Sequence, residues 1–171
     1  VCCIFHLITN KIMKKISIFT DGSSRGNPGP GGYGIVLKYK DLEKEISGGF
    51  RRTTNNRMEL MALIVALESL QTDQYPIEVY SDSKYVIDAI TKGWVFTWCT
   101  KNFKGKKNKD LWLRYLDLHP KFKLSYNWVK GHAGHPENER CDVLAVEAAL
   151  TNNKAIDTAY EQSEAEEDKL L

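Results

Sequence analysis

The chain reads as an α/β fold: a mixed sheet of five strands with helices packed on it, in a single domain. Three observations predict this. Five apolar, β-branched or aromatic runs of strand length, Ile16–Phe19, Tyr33–Tyr39, Glu45–Arg51, Tyr75–Tyr80 and Phe122–Val129, are separated by turn residues or by helical patterns. The first three are joined by polar or Gly-rich links, which suit an antiparallel meander. The later ones are reached through helical stretches, which suit crossovers and a mixed sheet. Finally, 171 residues with 42% hydrophobic and 27% charged content suffice for one buried core and exclude wholesale disorder.

The elements follow in chain order. Residues 1–12 precede Met13-Lys14-Lys15, which has the look of a translation start; they lack a basic n-region and a small-residue cleavage site, so the expectation is an N-terminal extension rather than a signal peptide. The first strand ends at Thr20-Asp21, with a tight Gly22-Ser23-Ser24 turn expected behind it. A carboxylate there is suited to a metal ion, and the turn's N–H and hydroxyl groups to phosphate; taken alone, however, this stretch favours the plain reading, a strand that stops at a turn with Asp21 as its cap. After two more strands, Thr54-Asn55-Asn56 offers N-cap oxygens to a helix over Arg57–Leu70, whose apolar stripe is Leu60, Leu63, Ile64 and Leu67, with Glu59 in its first turn. The fourth strand ends at Ser81-Asp82-Ser83 and leads to a short helix, Lys84–Lys92. Trp94–Lys109 reads as an irregular basic-aromatic insert, followed by a helix over Asp110–Leu118 that stops at His119-Pro120. A loop, Lys130–Pro136, separates the fifth strand from the last helix, Glu137–Leu150, and residues 151–171 read as a polar, acidic, mobile tail without a role.

A formal charge of +2 conceals local opposition: residues 101–109 carry five lysines and no acid, whereas residues 161–168 carry five acids and no base. A basic patch of that density serves a polyanion even at low total charge. The four cysteines, Cys2, Cys3, Cys99 and Cys141, have no stapling pattern, so a reducing, cytoplasmic compartment is expected. No apolar run approaches the length of a membrane span, and nothing in the pattern asks for an obligate dimer, so a monomer is expected.

Four acids, Asp21, Glu59, Asp82 and Asp142, fall at element ends or on first helical turns. If the first and fourth strands are central, Asp21 and Asp82 become neighbours, with Glu59 and Asp142 leaning over from helices. Four carboxylates so placed raise one another's pKa unless a cation neutralises them. Oxygen-only ligation suits Mg²⁺, with Mn²⁺ as a substitute, and two such ions about 3.5–4 Å apart serve an in-line phosphodiester displacement.

At this point TDGSSRGNPGPGGYG, TTNNRMELMA, YSDSKYV and WVKGHAGHPENERCD, in that order, resemble ribonuclease H of the bacterial type 1 class over about residues 13–150. The resemblance implies a ribonuclease H-like fold with a basic protrusion, and an endoribonuclease that hydrolyses the RNA strand of RNA–DNA hybrids, leaving 3′-hydroxyl and 5′-phosphate ends. It implies that Asp21, Glu59, Asp82 and Asp142 are the metal-binding and catalytic carboxylates. His132 would activate the water or release product, and Asn138 would orient the last acid or the substrate. A zinc site from His132, His135 and Cys141 is the competing reading, and it lacks a suitably spaced fourth ligand. By the same resemblance Ser24, Asn27, Asn55 and Asn56 meet the minor groove with its 2′-hydroxyls, while Thr54 and Arg57 clamp a DNA phosphate. The two asparagines also suit simple helix capping. Lys84 departs from the pattern, which often has Gln there, so phosphate contact is expected in place of base-edge contact. Trp94 with Lys101, Lys104, Lys106, Lys107 and Lys109 resembles the protrusion, lysines following phosphates; Trp98 and Phe103 suit core packing as well as stacking. A hybrid-binding module without catalysis, or a segment of a reverse transcriptase or transposase, are the alternatives. The complete set of acids with His132 argues against the first, and the chain's ending shortly after its last helix against the second.

Overall fold

The structure, a computed structural model, describes residues 14–167, so the expected extension over residues 1–12 lies outside the described residues. Along β1 (Ile16–Ser24), Ile16, Ile18 and Thr20 are buried on one face, and Phe19 and Asp21 point to the other. β2 (Gly29–Tyr39) and β3 (Leu42–Thr53) continue the antiparallel meander, with Lys40 at φ 54 in the tight link between them. α1 (Asn55–Glu68) then crosses over to β4 (Ile77–Ser81), which pairs in parallel with β1, and β5 (Leu124–Trp128) adds in parallel to β4. The strand order is β3-β2-β1-β4-β5, a mixed sheet with β1 at its centre.

Two apolar layers hold the helices on. On one face Ile18, Ile35, Leu37, Ile77 and Val79 meet α1 (Met58, Leu60, Leu63, Ile64, Leu67), α2 (Lys84–Thr91) and α4 (Lys109–Leu118), with Trp112 and Tyr115 fully buried. On the other, Val36 and Phe19 receive Cys141 and Leu144 of α5 (Pro136–Leu150). Cys141 and Cys99 are both free thiols.

Several expectations are corrected. Gly22-Ser23-Ser24 is strand and not turn: these residues pair with Tyr33, Gly32 and Gly31, and the chain reverses at residues 25–28. The basic-aromatic insert opens with a helix, α3 (Trp94–Thr100), beneath which Val95 and Phe103 are buried. The tail is not loose. Ala155 exchanges backbone hydrogen bonds with Gly49 and Arg51 of β3 (2.8 and 2.9 Å), and α6 (Thr158–Glu167) lies beyond it. Its anchor is Asp157, only 4% exposed, whose two oxygens accept from Arg57 Nε and an Arg57 terminal nitrogen at 2.8 Å each. No described helix is long and apolar enough to cross a membrane.

Candidate active site

Parallel pairing of β1 with β4 ends at Thr20 and Ser81, so the next residues, Asp21 and Asp82, stand side by side where the two strands part. The terminus that matters is that of the parallel ladder; the antiparallel ladder with β2 continues past Asp21. Two glycines bring the other acids in. Gly22 points at α1, where a Cβ would collide with the backbone at Met58 and Glu59; Gly34, the cross-strand partner of Asp21, faces α5, where a Cβ would collide with the Cys141 carbonyl. Glu59 and Asp142 are thereby drawn to Asp21 from opposite faces of the sheet. Glu59 sits one residue past the first turn of α1, and Asp142 in the second turn of α5, slightly deeper than the spacing predicts.

The electrostatics follow from this crowding. Burial pushes the Asp21 carboxyl up to about 8, and the charges of Asp82, Asp142 and Glu59 add to the shift, opposed by the Gly22 N–H donated to Asp21 Oδ1 at 2.7 Å. Burial and Asp82 likewise push Glu59 up to about 7, against hydrogen bonds from Ser83 and Asn55. Those two partners fix the Glu59 side chain: Asn55 Nδ2 donates to Oε1 at 2.8 Å and the Ser83 hydroxyl donates to Oε2. Asp82 Oδ2 lies against Gly131, and its backbone carbonyl accepts from Trp128 Nε1 at 2.9 Å. Among the described residues no three His, Cys, Asp or Glu side chains already close on one point as a finished cation cage. The donor set nonetheless fits a hard cation: all-carboxylate, mutually repelling, and half-buried or buried. Zinc through Cys141 does not fit, because that thiol is fully buried under α5 against Val36 and burial pushes its pKa above the ordinary range.

The remaining candidates divide into those around the acids and those along one cleft. His132, at φ 52, is exposed in the turn whose Gly131 touches Asp82, and Glu139 closes that turn by accepting the Gly134 N–H at 3.1 Å. Asn138 stands one turn before Asp142 and is buried, with its Oδ1 lacking a hydrogen-bond partner among the described residues. Its burial keeps it off an open substrate surface. Lys84 is exposed, its ammonium 5.0 Å over the Trp128 ring. Asn27, Thr54, Asn56, Lys106 and Lys107 line one cleft of about 380 Å³ between the start of α1 and the basic insert. Thr54 occupies the N-cap position without capping through its side chain, so its hydroxyl is available there. Asn27 Oδ1 accepts the Asn55 N–H at 3.3 Å and ties this cleft to Glu59. Ser24 is half-buried at the end of β1, and Trp94, 45% exposed, lies under the Lys92 ammonium at 4.9 Å. Lys101 and Lys104 are exposed beyond α3 and do not line the cleft.

Arg57 is a correction. Its side chain is 3% exposed and every nitrogen is engaged, with Asp157 at 2.8 Å and Asp110 at 2.7 and 2.9 Å, so it is a buried structural cation and not a phosphate clamp. Burial alone would lower its pKa; the two carboxylates outweigh that and hold it above its ordinary value. Phe103 is core, and Trp98 packs edge-on against Trp112 with Lys106 5.0 Å above it. Sequence reasoning missed Tyr85, Asn108 and Tyr160, which complete the cleft wall. Tyr85 and Asn108 bond each other at 2.9 Å from positions 23 apart, and nothing local marks that pairing.

Comparison with known proteins agrees with this architecture. The family model for RNase H matches residues 13–150. Curated relatives named Ribonuclease H include one from Serratia proteamaculans, 54% identical over 157 residues (87% of this chain, 97% of the relative), and one from Desulforamulus reducens, 52% identical over 153 residues (86% and 96%). Among solved structures, RNase H1 from Halobacterium salinarum NRC-1 is 34% identical with TM-score 0.61, covering 78% of this chain and 96% of its own. LC11-RNase H1, solved in complex with an RNA/DNA hybrid, is 28% identical with TM-score 0.60, covering 78% and 96%. With the matched family spanning the sheet and all four acids, this chain belongs to the ribonuclease H family of enzymes, in its bacterial form.

Proposed function

We propose that the chain is an endoribonuclease acting on the RNA strand of RNA–DNA hybrids, with Asp21, Glu59, Asp82 and Asp142 as its catalytic carboxylates. The observation that carries the reading is the convergence of Glu59, Asp82 and Asp142, from α1, the end of β4 and α5, on Asp21 of β1, whose pKa is raised by burial and further by their charges. Such a cluster is electrostatically costly unless cations complete it. Two Mg²⁺ ions held by these residues would supply a water nucleophile at neutral pH and charge stabilisation for the departing oxygen. Mn²⁺ satisfies the same ligands.

The chain's own groups do the rest. Asp21 and Asp82, fixed on adjacent strands, set the spacing of the site; Asn55 and Ser83 hold Glu59 in one rotamer; Asn138 supports Asp142. In the displacement, water oxygen bonds to phosphorus as the P–O3′ bond breaks, which yields 5′-phosphate and 3′-hydroxyl ends. His132, on its exposed turn beside Asp82, is placed to carry a proton to or from solvent. Asn27, Thr54, Asn56, Lys106 and Lys107 would seat the hybrid backbone, with Ser24 and Asn55 nearest the 2′-hydroxyls, and Trp94, Lys84, Lys101 and Lys104 extending the contact. The hybrid-bound LC11 relative supports the substrate class. The test is cleavage of labelled RNA–DNA hybrid, double-stranded RNA and double-stranded DNA of one sequence, with Mg²⁺ or EDTA. Cutting confined to the hybrid's RNA strand and abolished by EDTA is expected; equal cutting of all three would overturn the reading.

A further inference from the structure

The acidic C-terminal helix has no part in that reaction, yet it is docked beside the cleft assigned to the substrate. Its attachment has two unlike halves. The anchor at residues 155–157 is hydrogen-bonded to β3 through the Ala155 backbone and to Arg57 through the buried Asp157 carboxylate. The helix itself has no fully buried residue over 158–166 and is held chiefly by charge. Glu161 takes Arg51 Nε at 2.9 Å and a terminal nitrogen at 2.6 Å, and Glu164 takes Arg52 in the same forked way at 2.7 and 2.9 Å. Glu164 also lines a groove of about 620 Å³ shared with Lys106, Lys107 and Lys109 of the basic insert. Tyr160, one turn earlier, forms a wall of both that groove and the cleft containing Thr54 and Asn56.

We propose that α6 is an intramolecular competitor for the hybrid's phosphates: Glu161 and Glu164 occupy the guanidinium forks of Arg51 and Arg52, and the helix is displaced when the nucleic acid backbone enters the groove. This inference rests on the hybrid reading above and concerns the regulation of that same surface. A forked guanidinium binds carboxylate and phosphate with the same geometry, so the two are alternatives for one donor set. Arg51 and Arg52 directly precede Thr53-Thr54, so freeing them would extend the cationic surface from the insert to the end of β3. Both arginines are more than half exposed, and exposed pairs are weak and salt-screened, so the helix can leave while Asp157 remains buried on Arg57.

The test is the full chain carrying E161Q and E164Q together, compared with wild type for hybrid binding in EDTA and for steady-state cleavage in Mg²⁺. At about 50 mM salt the variant should bind roughly 3- to 10-fold tighter and show a lower KM with unchanged kcat; the gain should shrink towards about 200 mM salt. Adding R51Q and R52Q should abolish the gain. E166Q, on the same helix but with no ion pair among the described residues, should change affinity less than twofold. Equal or weaker binding by the E161Q/E164Q variant, or a gain that survives loss of both arginines, would overturn the competitor. Failure of wild type and variant alike to bind or cut hybrid would instead overturn the substrate reading.

Discussion

Two clusters of charge lie on this fold, and they are built on opposite rules. Around Asp21 four carboxylates gather without a basic partner, and burial, reinforced by the neighbouring negative charges, raises the pKa of Asp21 and Glu59. Around Arg57 one guanidinium is shared by Asp110 and Asp157, every donor is used, and Asp110 is held below the usual carboxylate range by that guanidinium, against the upward push of its own burial. The second cluster is balanced and closed; it ties α1, α4 and the tail together. The first carries like charge with no counter-charge beside it. Where a protein keeps buried like charges together, function is the reason to look for, because stability does not supply one.

The contrast is broken most severely at the acids. Replacing Asp21 or Asp82 with Asn should lower hybrid cleavage by about 10³-fold or more while leaving the circular dichroism spectrum and hybrid binding near wild type. Near-normal turnover in either variant would remove these residues from the catalytic set. At the balanced cluster the effect should be on stability instead. Arg57→Ala leaves two carboxylates without their shared cation and should cost about 3–5 kcal/mol in chemical denaturation, with the activity of the remaining folded protein retained. If Arg57 were a phosphate clamp, KM would rise with stability unchanged. A smaller effect, joining the two, is expected at Gly34→Ala: the added methyl meets the Cys141 carbonyl, pushes α5 and Asp142 outward, and should cost about 1–3 kcal/mol together with part of kcat. A wild-type kcat in that variant would mean Asp142 needs no close seating.

How much of this was legible in the sequence differs between the two clusters for the same reason. The acids proposed as catalytic are marked locally: Asp21 and Asp82 end hydrophobic strand runs, and the strand order that makes them neighbours follows from hairpin-then-crossover connectivity. Even so, the glycines and serines after Asp21 read as a turn, because in composition a Gly-rich strand admitting a helix is indistinguishable from a loop. Arg57 misleads in the opposite way. Its neighbours Thr54 to Asn56 suggest a surface site, while its true partners are 53 and 100 positions away and sit at the start of α4 and in a polar tail. α3 was missed because Trp94–Thr100 is rich in aromatic and β-branched residues of poor helix propensity, and packing of Val95 and Trp98 overrides that preference. α6 was missed because its attachment is through two long-range ion pairs and no apolar stripe announces it.

The claim that the acids around Asp21 form a cation site is tested most directly by thermal melting of wild type and D21N between pH 5 and pH 8, in EDTA and in Mg²⁺. A carboxyl whose pKa is raised from 3.8 to about 8 on folding is ionised in the unfolded chain and must take up a proton to fold across that window, so stability falls as pH rises. In EDTA, wild type should therefore lose stability relative to D21N towards pH 8, by about 1–3 kcal/mol, and Mg²⁺ should restore wild type while leaving D21N nearly unmoved. Parallel pH profiles for the two proteins in EDTA, with the same Mg²⁺ response in both, would contradict the account.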